Sequence, residues 1–314
     1  MIDENNILNV LNQNYSIKFD EIIFNRDGGS LSYFVNSNSK RFFLRLVRQP
    51  FMDTALQSID IHLYLYKNRF PVPQIIFATS GAPYVCYEEH DEKYLYILYE
   101  YIYGKEPDIN IYAEKIGCLV GEFHRLMENY KGNLAVRDKH FFIERYIEIL
   151  RKKNYPEDKL KAFIEHGDYM WEKVKDLPYG YSHGDLYRGN LHQTSSGEIY
   201  ILDFDTSCRA FRVYDIMMVC NITDYFDYDE SGYEKTKRVY ERFLTGYLQY
   251  RTLSEYEISE IYDLLAVMHY QLQATVIEIY GLDCVDEQFV DNQLDWLMKW
   301  KAQCENSESS RFRS

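Results

Sequence analysis

The chain has 314 residues, 46% of them hydrophobic and 17% aromatic, enough to fill more than one core. Its formal net charge of −14 excludes nucleic acid and anionic membrane as partners, since both demand a basic surface; it suits a cationic substrate, or simply a soluble surface. The acidic, polar first ten residues are no signal peptide, no apolar run nears the ~20 residues of a membrane span, and the 6 cysteines, with no C-x-x-C pair, read as reduced thiols, so the expected place is the cytoplasm.

Residues 20–24, 31–35 and 41–47 are short β-prone runs, the first two separated by Gly28-Gly29, and predict an antiparallel meander. Residues 54–68 carry apolar side chains at helical spacing (Leu56, Ile59, Leu63, then Leu65 or Tyr66) and stop at Pro71 and Pro73. Residues 73–78, 84–87 and 94–102 again read as strands. Beyond them helical periodicity dominates: 111–130, 141–152, 159–174, 234–250, 255–280 and 287–303, interrupted by a strand-rich insertion near 180–205. The expectation is an α+β, two-lobed protein: a strand-rich N-terminal lobe with one helix over residues 1–102, a mainly helical lobe over 103–304, and a frayed tail over 305–314.

The chemistry concentrates in Y-S-H-G-D-L-Y-R-G-N-L at residues 181–191, followed by I-Y-I-L-D-F-D at 199–205. Phosphoryl transfer needs a carboxylate to orient or accept the proton of the attacking hydroxyl, and hard oxygen ligands to hold Mg2+ against nucleotide phosphates. Asp185, Asn190 and Asp203 supply those groups, the last presented at the end of an apolar strand after the turn at residues 195–197. H-x-D alone is weak; H-G-D-x-x-x-x-N followed by apolar-apolar-D-F-D demands four polar positions and two apolar frames at once.

These motifs resemble the aminoglycoside phosphotransferase and choline kinase superfamily, which shares the protein-kinase fold. Further landmarks follow in the same order: Val72-Pro73 after a helix, L-Y-E-Y-I at 98–102 before Gly104, G-E-F-H-R-L at 121–126, and R-V-Y-D-I at 212–216, so that the resemblance spans residues 20–220. D-F-D and the strand F-F-L-R-L at 42–46 look most like the homoserine-kinase-like and stress-response-kinase-like branches. The resemblance implies a Mg-ATP-dependent kinase, with GTP an open alternative. Asp185 would engage the acceptor hydroxyl, and Asn190 and Asp203 would bind Mg2+. His183 would hold the loop, and Asp215 would brace it from a helix start. Asp205 is either a secondary metal or water ligand or a stabiliser of its own loop.

For the nucleotide, Gly28, Gly29 and Ser30 would bring backbone N–H groups to phosphate, although an ordinary hairpin turn explains them equally, and Glu100, Tyr101 and Ile102 would form the adenine hinge or merely a strand end. Where relatives pair a strand lysine with a helix glutamate, this chain offers Arg45 and, counting back from Pro71, Asp60; the longer cation and shorter acid span a similar gap, with Arg48 or Lys40 as the alternative cation. Asp224, Asp227 and Glu278 lie in an acidic, aromatic C-terminal region suited to an aminoglycoside-like or choline-like acceptor. Competing readings are a homoserine-like acceptor, a Ser/Thr protein kinase, and a kinase-like protein that binds without catalysis.

Overall fold

The computed structural model describes residues 3–28, 30–38, 40–89 and 92–311. By contact the chain divides into two compact units. One comprises everything through Pro107 with Tyr130–Gly132 and Arg188–Thr206; the other comprises Asp108–Asn129, Asn133–Tyr187 and everything from Ser207 onward. A single cut between 102 and 103 does not describe this division, because the segment carrying Asn190 and Asp203 clusters with the first unit.

The first unit is a sheet of β1 (Glu21–Asp27), β2 (Leu31–Ser37), β3 (Lys40–Arg48), β4 (Val85–Glu89) and β5 (Glu92–Glu100), antiparallel in the order β1-β2-β3-β5-β4. The period of two in β3 and β5 sends their side chains to opposite faces. Phe42, Leu44, Leu46, Tyr96 and Leu98 join a core with Ile7, Val10 and Leu11 of α1 (Glu4–Asn14), while Val47, Leu95, Ile97 and Tyr99 pack with Ala55 and Ile59 of α2 (Met52–Lys67). Helix α1 is unanticipated by periodicity: its Asn-rich sequence has low helix propensity, and its signals are the Asp3 cap, whose side chain accepts from the Asn5 N–H, and apolar residues at 7, 10 and 11. The strand expected at 73–78 is also absent. It makes only a bridge between Ile75 and Tyr99, with the Glu100 N–H donating to the Gln74 carbonyl. A small second sheet runs β6 (Gly104–Lys105), β8 (Leu191–Thr194), β9 (Ile199–Ile201), so Gly104 lies in a paired strand.

In the second unit, α3 (Ile109–Met127) packs closely on α7 (Gly232–Tyr247). A Cβ at Gly246 would lie 1.9 Å from the Glu114 carbonyl oxygen, and one at Gly117 would lie 2.0 Å from that of Phe243. Backbone meets backbone there, so neither neighbour can yield cheaply. Gly246→Ala is expected to lower the unfolding free energy by about 1–3 kcal/mol in a denaturant titration. Strand β7 (Tyr179–Ser182) pairs with β10 (Cys208–Phe211), and α6 (Tyr214–Cys220) follows. Helices α4 (Arg145–Lys152) and α5 (Glu157–Val174) occupy the expected stretches. The helix expected over 255–280 divides into α8 (Glu255–Ser259) and α9 (Ile261–Tyr280), and α10 runs over Glu287–Arg311, past residue 303. All six cysteines are free thiols, and among the described residues no helix is long and apolar enough to cross a membrane.

Three buried imidazoles give the fold a pH profile. Burial pushes His62 and His166 each down to about 4 and His269 to about 3. Because their folded pKa values are depressed, the unfolded chain binds more protons below the usual imidazole value. The stability they contribute is present above about pH 6.5 and is lost as pH falls from there toward 4, at about 1.4 kcal/mol per unit for each fully titrating group. Glu260 works in the opposite direction: burial and its hydrogen bond to Asp263 push it up to about 7, offsetting one of the three over part of this range. Unfolding free energy measured by denaturant titration is therefore expected to fall steadily between pH 6.5 and 4.5; a flat profile would contradict the buried neutral imidazoles.

Candidate active site

In the first unit, three predicted side chains, Ser30, Asp203 and Asp205, converge on Arg45. It projects from β3 on the same face as Val47, opposite Ile97 of β5, and its side chain is 13% exposed. Its Nη1 donates to Asp205 Oδ1 at 3.0 Å, Nη2 donates to Asp205 Oδ2, and Nε donates to Ser30 Oγ at 3.2 Å, while Asp203 Oδ1 lies 4.0 Å from Nη1. Burial alone would lower the guanidinium pKa, but Asp205, through hydrogen bond and charge, with Tyr99 and Asp203, holds it above the ordinary arginine value.

The expected partner Asp60 is not there. It lies on the exposed side of α2, whose buried face presents Ala55, Ser58, Ile59, Ile61, His62 and Leu65. Counting positions along the helix located a carboxylate but on the wrong face. The polar residues on that buried face are Ser58 and His62; the His62 Nε2 bonds the Pro73 carbonyl, and its ring packs on Tyr99 at 5.3 Å and on Phe204 at 5.5 Å.

Asp203 follows β9 with φ +61°, a left-handed conformation that aspartate tolerates better than most residues, and its side chain is 38% exposed. The Leu202 N–H donates to the Asn190 carbonyl at 2.9 Å, tying the approach to Asp203 to buried Asn190. Gly28 is exposed, its N–H donating to the Ser30 carbonyl at 3.3 Å as in a turn; Gly29 lies outside the described residues. At the end of β5, Glu100 spends its N–H on Gln74, Tyr101 packs edge-on against Phe34 and Tyr103, and Ile102 is buried.

In the second unit, the loop after β7 is organised by Asp215, which is fully buried in the first turn of α6. Its Oδ1 accepts from Ser182 Oγ at 2.7 Å and the Gly184 N–H at 3.1 Å, and its Oδ2 accepts from the His183 N–H at 2.7 Å and His124 Nε2 at 3.0 Å. Burial would raise this carboxyl, yet the His124 and His183 contacts and the Ser182 hydroxyl hold it below the usual carboxylate range. A carboxylate only accepts, so His124 Nε2 bears the proton, and the other ring nitrogen meets the Tyr247 hydroxyl at 2.9 Å. His183 is buried, and its Nδ1 receives the Asp185 N–H at 3.4 Å; Gly184, at φ +81°, makes the bend that leaves Asp185 half-buried. His124 and Tyr247 were missed as supports, although G-E-F-H-R-L stood out as a motif: it shows a histidine but not the carboxylate it meets.

Of the three acidic residues expected to meet the acceptor, two have partners of their own. Asp224 Oδ1 accepts the N–H groups of Phe226 and Asp227, closing its own turn. Glu278 is paired with Arg145 at 2.8 Å, and Asp227 is exposed.

The sequence profile of the phosphotransferase enzyme family matches residues 21–257. No curated protein matches the chain in sequence. Among solved structures, an amicoumacin kinase in complex with AMP-PNP and Ca2+ aligns with TM-score 0.75 at 18% identity, over 96% of this chain and 94% of its own. A microcompartment-associated aminopropanol kinase aligns at 0.72 and 17% identity, over 98% of each chain. A spectinomycin phosphotransferase in complex with ADP and spectinomycin aligns at 0.64 and 14% identity, over 95% of this chain and 94% of its own. At such identities the likeness is one of fold, and it is the kinase-like fold that the H-G-D and D-F-D motifs led us to expect.

Proposed function

This chain belongs to the phosphotransferase enzyme family, and from that premise we propose that it moves the γ-phosphate of Mg-ATP to a hydroxyl of a small, amine-bearing molecule. The observation that carries the reading is Asp203: a carboxylate left 38% exposed on a left-handed turn, 4.0 Å from a guanidinium, with its approach tied to Asn190. A carboxylate and an amide oxygen are hard donors, so this set fits Mg2+ bound through two protein ligands and nucleotide phosphates. When bound, the metal neutralises charge on the transferring phosphoryl group.

The chain's own groups divide the remaining work. Arg45 steadies phosphate oxygens, Ser30 and Gly28 frame the turn above them, and the backbone of residues 100–102 receives the base. Asp185 orients the acceptor hydroxyl and takes its proton. His183 and Asp215 keep the loop carrying Asp185 in place. An amine-bearing acceptor is supported by the net charge of −14 and by the aminopropanol acted on by one structural relative. Asp227 is the best placed of the three predicted carboxylates to meet it, since Asp224 and Glu278 already have partners.

The test is ADP release with Mg-ATP against a panel of amino alcohols, aminoglycosides, choline, homoserine, sugars and a generic protein substrate. Stimulation by one amine-bearing alcohol is expected. Stimulation by the protein substrate alone would instead indicate a protein kinase, and absence of nucleotide binding would remove the catalytic reading altogether.

A further inference from the structure

Three of the five N–H donors of Arg45 are already engaged within the first unit, which leaves one on each terminal nitrogen for phosphate. Its two terminal nitrogens meet both oxygens of Asp205, and its Nε meets Ser30, so the fork of the guanidinium bridges the β1–β2 turn and the segment that follows β9. The neighbouring helix offers no acid in exchange. Every buried residue of α2 is uncharged or, in His62, an imidazole that burial keeps neutral and whose Nε2 is committed to Pro73. A guanidinium at 13% exposure requires a carboxylate, and a bidentate pair is the strongest form available. Asp205 stands two residues after Asp203, on the same turn.

Building on the phosphotransferase reading, we propose that Asp205 is the positioning residue of Arg45. It does the work expected of a helix carboxylate, so the phosphate-steadying arginine and the metal-binding aspartate are aligned by a single post-strand turn and α2 contributes no charge to the nucleotide site. Asp205 is then neither a metal ligand nor merely a stabiliser of its own loop. Its carboxylate fixes the direction from which Arg45 meets phosphate, and only an arginine can meet Asp205 with two parallel bonds while still reaching Ser30.

The experiment measures the affinity of a fluorescent ATP analogue, together with KM for ATP and kcat, across Asp205→Asn, Asp205→Glu, Arg45→Lys, Asp60→Asn and the double variants Arg45→Lys/Asp205→Glu and Arg45→Lys/Asp60→Glu. Asp205→Asn is expected to weaken nucleotide binding at least tenfold and to raise KM more than it lowers kcat, whereas Asp60→Asn stays within twofold of wild type. Arg45→Lys is expected to be impaired and partly rescued by Asp205→Glu, because the longer acid reaches the shorter cation. Asp205→Asn binding nucleotide as wild type does would overturn the assignment, as would rescue of Arg45→Lys by Asp60→Glu. Should Asp205→Asn fail to fold, the charge-conserving Asp205→Glu carries the test: its affinity must improve when Arg45→Lys is added, and absence of that coupling refutes the pairing. Wild-type protein that bound no nucleotide would overturn the phosphotransferase reading as well, whereas wild-type binding with an indifferent Asp205→Asn would overturn this assignment alone.

Discussion

Asp185→Asn is expected to reduce kcat about a thousandfold while leaving nucleotide affinity within a fewfold of wild type, the size of effect typical of removing a positioned proton acceptor. The substitution keeps the side chain's shape and removes its basicity. It leaves intact the bond from the residue 185 N–H to His183 and the network at Asp215, because neither uses the Asp185 carboxylate. Steady-state kinetics with the best acceptor from the panel, beside a binding titration with ATP, distinguishes the roles. A parallel loss of kcat and affinity would move Asp185 to the nucleotide; an unchanged kcat would deny it any part in proton transfer.

The second large effect belongs to Asp203. Asp203→Ala is expected to erase the difference between Mg-ATP and metal-free ATP in affinity, with Mg-ATP binding weakened by at least about tenfold to a hundredfold, the loss that follows even from removing an outer partner of a metal ligand. Calorimetric titrations with and without Mg2+ measure both quantities on one sample. The alanine also removes an aspartate from a left-handed conformation at φ +61°. Asp203→Asn, which tolerates that conformation, is therefore the control. If Asn restores stability without restoring metal dependence, charge is the cause; if Mg-ATP affinity survives in both, the metal assignment is wrong.

Much of this was legible because the responsible signals are local. The strand F-F-L-R-L that carries Arg45 is continuous in sequence, and Asp185, Asn190 and Asp203 fall within one short stretch. What escaped is long-range pairing. Asp205 is 160 positions from Arg45, His124 is 91 from Asp215, and Arg145 is 133 from Glu278, and nothing in periodicity connects such partners. Reach arguments for Arg45 naturally fell on the nearby helix, where Asp60 is the right kind of residue facing the wrong way. Helix α1 escaped for a different reason: asparagine serves caps and turns better than helix interiors, so burial of its apolar residues in one core with β-strand residues such as Leu44 and Tyr96 supports the helix more than its composition does.

The interleaved order of the two compact units limits how the protein can be taken apart. Since Arg188–Thr206 clusters with residues before 108, a fragment ending at Pro107 would lack β8 and β9, leave β6 without its neighbour, and strip Arg45 of its carboxylate. Neither unit corresponds to one uninterrupted piece of gene. The protein is therefore a poor donor for modular swaps at a single junction, and any chimera that exchanges the first unit has to carry three separated segments together.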